Sequence, residues 1–143
     1  DLAWSRGLGD VYKRQLHRRR RPSHWRLLES DADLTTALRT IPQQSSVLID
    51  ALGGFVACHL DDSDQAWNDC CEELVEQLAG MGQTCVVVIE ETGWGVVPPT
   101  LIGGRFRDRL GSLAQSLDRQ AHSAWLVLQG RAVDLHALSQ RVP

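Results

Sequence analysis

The densest run of reactive side chains is His17-Arg18-Arg19-Arg20-Arg21-Pro22-Ser23-His24-Trp25-Arg26. Guanidinium groups present planar forks that match phosphate oxygens, and an imidazole can act as nucleophile or base, so a polyphosphate ligand fits this run. On composition alone a solvated basic turn or a nucleic-acid patch fits as well, because arginine clusters are common interaction surfaces. The histidine and the Pro-x-His-Trp tail make the run less generic.

A second group of candidates is acidic. Asp50 ends an apolar run, the place where a nucleotide-binding domain sets the carboxylate that reaches Mg²⁺ directly or through water. An Asp there also caps a following helix very often, and both readings stand. Glu90 and Glu91 end the next apolar run, and carboxylates brought together at strand ends call for a metal or another compensating charge. They open the loop Glu90-Glu91-Thr92-Gly93-Trp94-Gly95-Val96-Val97-Pro98. Its glycines permit tight turns and close approach to a ligand, and Trp94 either stacks on a flat ring or covers the domain edge. His59 follows Cys58 without any zinc spacing and reads as a surface residue.

The elements that must hold these groups are visible as periodicity. Ser46 to Asp50, Thr84 to Glu90 and Ala124 to Leu128 are short, continuous apolar runs, the habit of strands buried on both faces of a parallel sheet. Between them, Gln65 to Met81 places Trp67, Leu74, Val75 and Leu78 on one helical face, and Ile102 to Ala121 does the same with Phe106, Leu110, Leu113 and Leu117. Alternation of strand and helix predicts a doubly wound α/β sheet with right-handed crossovers. Ligands gather at the carboxyl ends of such strands, which points to Asp50, to Glu90 and Glu91, and to Gln129 with Gly130.

Composition limits the alternatives. A chain of 143 residues with 43% hydrophobic content builds one domain with a real core. Its net charge of -3 conceals a basic stretch from Lys13 to Arg26 beside acidic ones from Glu29 to Asp33 and Asp61 to Glu76. This implies a local basic site, not a globally cationic protein, and a small nucleic-acid binder built on the arginine run stays open as a further reading. Cys58, Cys70, Cys71 and Cys85 form no C-x-x-C pair and read as reduced thiols of a cytoplasmic protein. No apolar run approaches the roughly 20 residues of a membrane span. Residues 1–15 lack periodicity, and their GLGDVYKRQ resembles translated adaptor sequence, so we set them apart from the domain formed by residues 16–143.

Five stretches carry a family resemblance: R-R-P-S-H-W-R (Arg20 to Arg26), V-L-I-D (Val47 to Asp50), E-E-T-G-W-G-V-V-P (Glu90 to Pro98), R-F-R-D-R-L-G (Arg105 to Gly111) and W-L-V-L-Q-G (Trp125 to Gly130). In type and order they resemble the motifs of the bifunctional adenosylcobinamide kinase and adenosylcobinamide-phosphate guanylyltransferase family, in its cyanobacterial form. The resemblance implies a RecA-like P-loop NTPase domain with a mostly parallel sheet, and a transferase of cobalamin biosynthesis. Its reactions are phosphorylation of adenosylcobinamide and transfer of GMP from GTP to the resulting phosphate, with GTP, ATP and Mg²⁺ as the implied nucleotides and metal. It makes His17 the guanylylated histidine, Arg18, Arg19, Arg20 and Arg21 the guanine-nucleotide contacts, and Glu29 and Asp50 further nucleotide-binding positions, with Asp50 aiding the metal. It suggests a homotrimer.

The sequence departs from the family pattern at one central element. The family opens with a strand and G-x-x-x-x-G-K-[ST], whose amides and lysine cradle phosphates, and these 143 residues contain no such motif. We expect a domain truncated at its first strand, with little activity as it stands. A non-catalytic guanine-nucleotide-binding remnant is the alternative. Gly53-Gly54 and Cys58-His59 also replace the usual residues after the Asp50 strand.

Overall fold

Alternate burial sets the first sheet. In the computed structural model, which describes residues 22–142, strand β1 (Val47–Ile49) runs parallel to β2 (Cys85–Val87). Val47 pairs with Cys85, Leu48 with Val86 and Ile49 with Val87. Val47 and Ile49 turn into the core, while Leu48 and Val86, one position out of phase, are exposed.

Helix α1 (Leu34–Arg39) starts at Asp33, whose carboxylate accepts from the Thr36 amide at 3.1 Å. It buries Leu34 and Leu38. Helix α2 (Leu52–Cys58) follows β1 almost at once and buries Leu52, Phe55 and Val56. The two predicted amphipathic helices are present as α3 (Asp64–Gly80) and α4 (Leu101–Gln120). Each begins one residue before the apolar periodicity indicates. The cause is polar: the Ser63 and Thr100 hydroxyls accept from the Ala66 and Gly103 amides, each at 3.2 Å, and so fix the first turns. Their apolar stripes meet in one core, where Leu52, Val56, Leu74, Leu110 and Leu113 are fully buried. Burial of each such side chain contributes about 2 kcal/mol.

The third predicted strand is present as β3 (Trp125–Leu128) but does not join the parallel sheet. It pairs antiparallel with β4 (Arg131–Asp134) in a separate hairpin. Gln129 and Gly130, at φ 51° and 74°, form the two-residue link. Left-handed φ at both central positions is the geometry that matches the twist of paired strands, so this dipeptide closes a tight turn where a ligand-facing strand end was expected. A short helix α5 (Leu135–Leu138), capped by Asp134 on the Ala137 amide at 3.0 Å, packs on the hairpin. His136 ties it to α4 through Asp118 at 2.7 Å. The fold is thus mixed α/β with a small parallel sheet.

Two arginines of α4 lock the carboxyl end of α2. Arg109, only 5% exposed, donates to the carbonyls of His59 and, at 2.8 Å, Asp62, and to the Asp64 carboxylate at 3.2 Å. Its guanidinium lies 5.2 Å from the centroid of the Trp67 ring. One turn earlier, Arg105 donates to the Leu60 carbonyl at 2.8 Å. The His59 carbonyl at the helix terminus and the Leu60 and Asp62 carbonyls of the following turn thereby gain cationic donors. Among the described residues, no buried side-chain nitrogen or oxygen lacks a hydrogen bond.

Candidate functional site

Parallel pairing brings the carboxyl ends of β1 and β2 to the same side of the sheet. The ladder continues past the strands: the Val88 amide donates to the Ile49 carbonyl at 2.9 Å, and the Leu52 amide donates to the Val88 carbonyl at 3.0 Å. Asp50 therefore stands in a two-residue link whose neighbours on both sides are bonded to Val88. Its side chain is exposed, and among the described residues no hydrogen bond or ion pair engages it.

The helix-capping alternative for Asp50 is not what the structure contains. The cap position of α2 is Ala51, which offers no side-chain acceptor. The Gly53 amide is instead met from the neighbouring strand end by Glu90, whose Oε2 accepts at 2.9 Å. A Cβ on Gly53 would lie 2.7–2.8 Å from the carboxylate atoms of Glu90, so any larger residue would push the carboxylate off this seat. Glu91 braces its own loop by accepting from the Gly93 amide at 2.6 Å. Of the three strand-end carboxylates, Glu90 and Glu91 are occupied by backbone amides and Asp50 is not. Among the described residues no three metal-ligating side chains converge. A single uncommitted carboxylate suits Mg²⁺, which commonly takes one or two carboxylates and completes its shell with substrate phosphates and water.

Trp94 is 65% exposed, so its ring does not serve as packing for the domain edge. His59, expected at the surface, is largely enclosed. Its ring lies against Phe55 and Trp67, with centroids 4.6 and 6.0 Å away. Nδ1 is 2.7 Å from Asp62 Oδ2 and Nε2 is 3.0 Å from the Ala32 carbonyl. It is a packed residue at the end of α2, placed there because the Arg109 clamp folds the following turn onto Trp67. All four cysteines are free thiols. Burial pushes the Cys70 and Cys85 thiols upward and Cys71 to about 12. This suppresses the thiolate and with it nucleophilic chemistry.

An open cleft of about 660 Å³ runs between the first turns of α3 and α4, lined among others by Asp64, Trp67, Pro98, Leu101, Arg105 and Arg109. Both of its arginines already serve the α2 clamp, and Asp50, Glu90 and Glu91 do not line it. The chemistry-bearing carboxylates and this cleft are therefore separate features.

Among the residues singled out from sequence, His17, Arg18, Arg19, Arg20 and Arg21 lie outside the described residues. Glu29 is exposed, in the segment after the turn closed by the Trp25 amide on the Pro22 carbonyl at 3.0 Å. No hydrogen bond or ion pair joins it to Asp50 among the described residues. Sequence reasoning assigned no role to Arg105 and Arg109, although their four-residue spacing places both on one helical face. It also took Glu90 for a ligand carboxylate and missed its seat on Gly53.

Residues 11–135 match the family model described as cobinamide kinase / cobinamide phosphate guanyltransferase. The bifunctional adenosylcobalamin biosynthesis protein CobP of Pseudomonas aeruginosa is 31% identical over 121 residues, covering 83% of this chain and 70% of its own length. The bifunctional adenosylcobalamin biosynthesis protein CobU of Escherichia coli is 30% identical over 134 residues, covering 83% and 74%. The Salmonella typhimurium protein of the same name is 28% identical over 136 residues, covering 85% and 75%.

Proposed function

The chain belongs to the cobinamide kinase / cobinamide phosphate guanyltransferase family, and from that premise we propose that it is a transferase of cobalamin biosynthesis acting on adenosylcobinamide and its phosphate. In this reading the domain is RecA-like. Its two reactions place a phosphoryl group from ATP or GTP on the adenosylcobinamide side-chain hydroxyl and then GMP from GTP on that phosphate, giving adenosylcobinamide-GDP. The observation that carries the reading is the uncommitted Asp50 carboxylate at the carboxyl end of a parallel strand, beside a glycine-containing loop, in a chain of this family.

His17 is the covalent carrier. A lone pair of its neutral imidazole attacks the α-phosphorus of GTP, pyrophosphate leaves, and the ring proton is lost, giving a phosphoramidate. The phosphate of adenosylcobinamide phosphate then attacks the same phosphorus and imidazole leaves, regaining its proton. Arg18, Arg19, Arg20 and Arg21 bind the phosphates by charge-assisted, forked hydrogen bonds. Glu29 and Asp50 are further nucleotide-binding positions. Asp50 would hold Mg²⁺, which when bound neutralises charge on the phosphoryl oxygens.

The protein acts in the cytoplasm as an assembly of identical copies. The exposed Leu48, Val86 and Val88 and the loop residues Val96 and Val97 supply apolar surface for such an assembly. No helix of the described residues is long and apolar enough to cross a membrane.

Incubation with GTP labelled at the α-phosphate tests the covalent step. Label that is acid-labile and base-stable, lost in His17→Ala and kept in His24→Ala, is the expected result. Label persisting in His17→Ala refutes the assignment of the nucleophile. GTP binding with no adduct in any variant identifies a nucleotide-binding module instead.

A further inference from the structure

We propose that Glu90 is a positioning residue for Asp50: seated on the Gly53 amide, its side chain fixes the turn that carries Asp50, as a hydrogen-bond acceptor and not as a charge presented to a ligand. The proposal rests on the nucleotide and metal role given to Asp50 above.

Asp50 and Ala51 form the link between β1 and α2. On the strand side, the Ile49 carbonyl accepts from the Val88 amide, and on the helix side the Leu52 amide donates to the Val88 carbonyl. Both bonds end on one residue, and the remaining hold on α2 lies in its buried face and at its far end. The third bond, from the Gly53 amide to Glu90 Oε2 at 2.9 Å, falls two residues further along the same segment and gives the amide end a second point of attachment. No local group duplicates it, because Ala51 at the cap position has no acceptor in its side chain.

The seat is built for close contact. Gly53 is buried, and its need for glycine is one of space: a Cβ there would meet Oε2, Cδ and Oε1 of Glu90 at 2.7, 2.8 and 2.8 Å. The neighbouring Gly54 has nothing within 4 Å of its own Cβ position, so the constraint belongs to one glycine of the pair. The helix amide end gains an anion from this arrangement, and the carboxylate is withdrawn from service as a ligand.

The test is made on the full chain with a fluorescent N-methylanthraniloyl GTP, titrated with Mg²⁺, and with thermal unfolding followed in parallel. Asp50→Asn is expected to abolish the Mg²⁺ dependence of binding. Glu90→Ala weakens that dependence about fivefold, the scale of a lost cap. Glu90→Gln, whose amide oxygen accepts the same bond, stays within about twofold of the parent on that scale. Gly53→Ala, which displaces the carboxylate, behaves like Glu90→Ala, and the double variant is no weaker than either single one.

Failure of Glu90→Gln to the same extent as Glu90→Ala overturns the proposal, because the charge itself is then required. So does a Glu90→Ala or Gly53→Ala protein that melts earlier yet keeps the parent's Mg²⁺ requirement. If Glu90→Ala does not fold, Glu90→Gln and Gly53→Ala decide by the same criteria. An unchanged Mg²⁺ requirement in Asp50→Asn removes the role of Asp50 and this proposal with it, and that failure is read on Asp50 alone.

Discussion

The two ends of helix α2 are held by opposite charges in opposite surroundings. At the amide end a single carboxylate, Glu90, itself exposed, accepts from the buried Gly53 amide beside Asp50. At the carbonyl end two guanidinium groups, Arg105 and Arg109, donate to the carbonyls of residues 59, 60 and 62, and Arg109 is buried against Trp67. Each partner has the sign that a helix terminus favours, but the burial differs. A buried fork shared among several acceptors ties down several carbonyls at once, whereas the carboxylate fixes its turn through one bond. The buried guanidinium anchors one end of the helix in the core, and the exposed carboxylate sets the turn that carries Asp50 at the other.

The largest effect is expected where that anchor is broken. Arg109→Ala leaves the carbonyls of His59 and Asp62 without their buried donor and removes the cation from Trp67, which should cost about 3 kcal/mol in chemical denaturation. Arg109→Lys recovers only part of this, since one ammonium cannot span the same acceptors. A loss in Arg109→Ala below that expected of a surface substitution would erase the distinction between the two ends.

Arg105→Ala sharpens the contrast on the same helix face. Arg105 is exposed and makes one bond, to the Leu60 carbonyl, so the expected cost is about 0.5 kcal/mol in the same assay. A cost equal to that of Arg109 would mean that burial is not what separates them.

An effect confined to alkaline pH is expected from Cys71, which reports how dry the anchored end is. Burial raises its thiol to about 12, above the ordinary value near 9, with Cys70 adding to the rise, although Arg109 pulls the other way. A folded-state value above the unfolded one stabilises fully below about pH 9, and the gain is lost as pH rises toward about 12. Urea midpoints measured between about pH 8 and 11 should therefore fall, and fall less steeply in Cys71→Ala. Equal slopes would show that the thiol is as well solvated folded as unfolded.

These regions were not equally legible in the sequence. Helices α3 and α4 were readable because Trp67, Leu74, Leu110, Leu113 and Leu117 recur at helical spacing. Their starts were off by one residue because Ser63 and Thr100 act through side-chain hydrogen bonds that apolar periodicity does not register. Strand β3 was readable as a strand and misplaced in the sheet. A short apolar run does not distinguish parallel from antiparallel partners, and the deciding signal was the Gln129-Gly130 turn. At the site, the strand-end placement of Asp50 followed from the pattern of the runs. The seat of Glu90 did not, since it joins residues 53 and 90 through a side-chain direction that only packing sets. His59 was misjudged for the same reason, its enclosure depending on Phe55, Trp67 and the distant Arg109.

The run Cys85 to Ile89 has a consequence before the fold exists. It is five uncharged residues of high strand propensity, without proline, and in the folded protein Val86 and Val88 still face outward. Such a segment in a nascent or unfolded chain is a template for cross-β stacking. Glu90 and Glu91 follow it directly, and two adjacent negative charges at the end of a sticky run repel identical copies in register. The carboxylates that shape the site in the native protein thus also occupy the flanking position at which charge opposes aggregation of an unfolded chain.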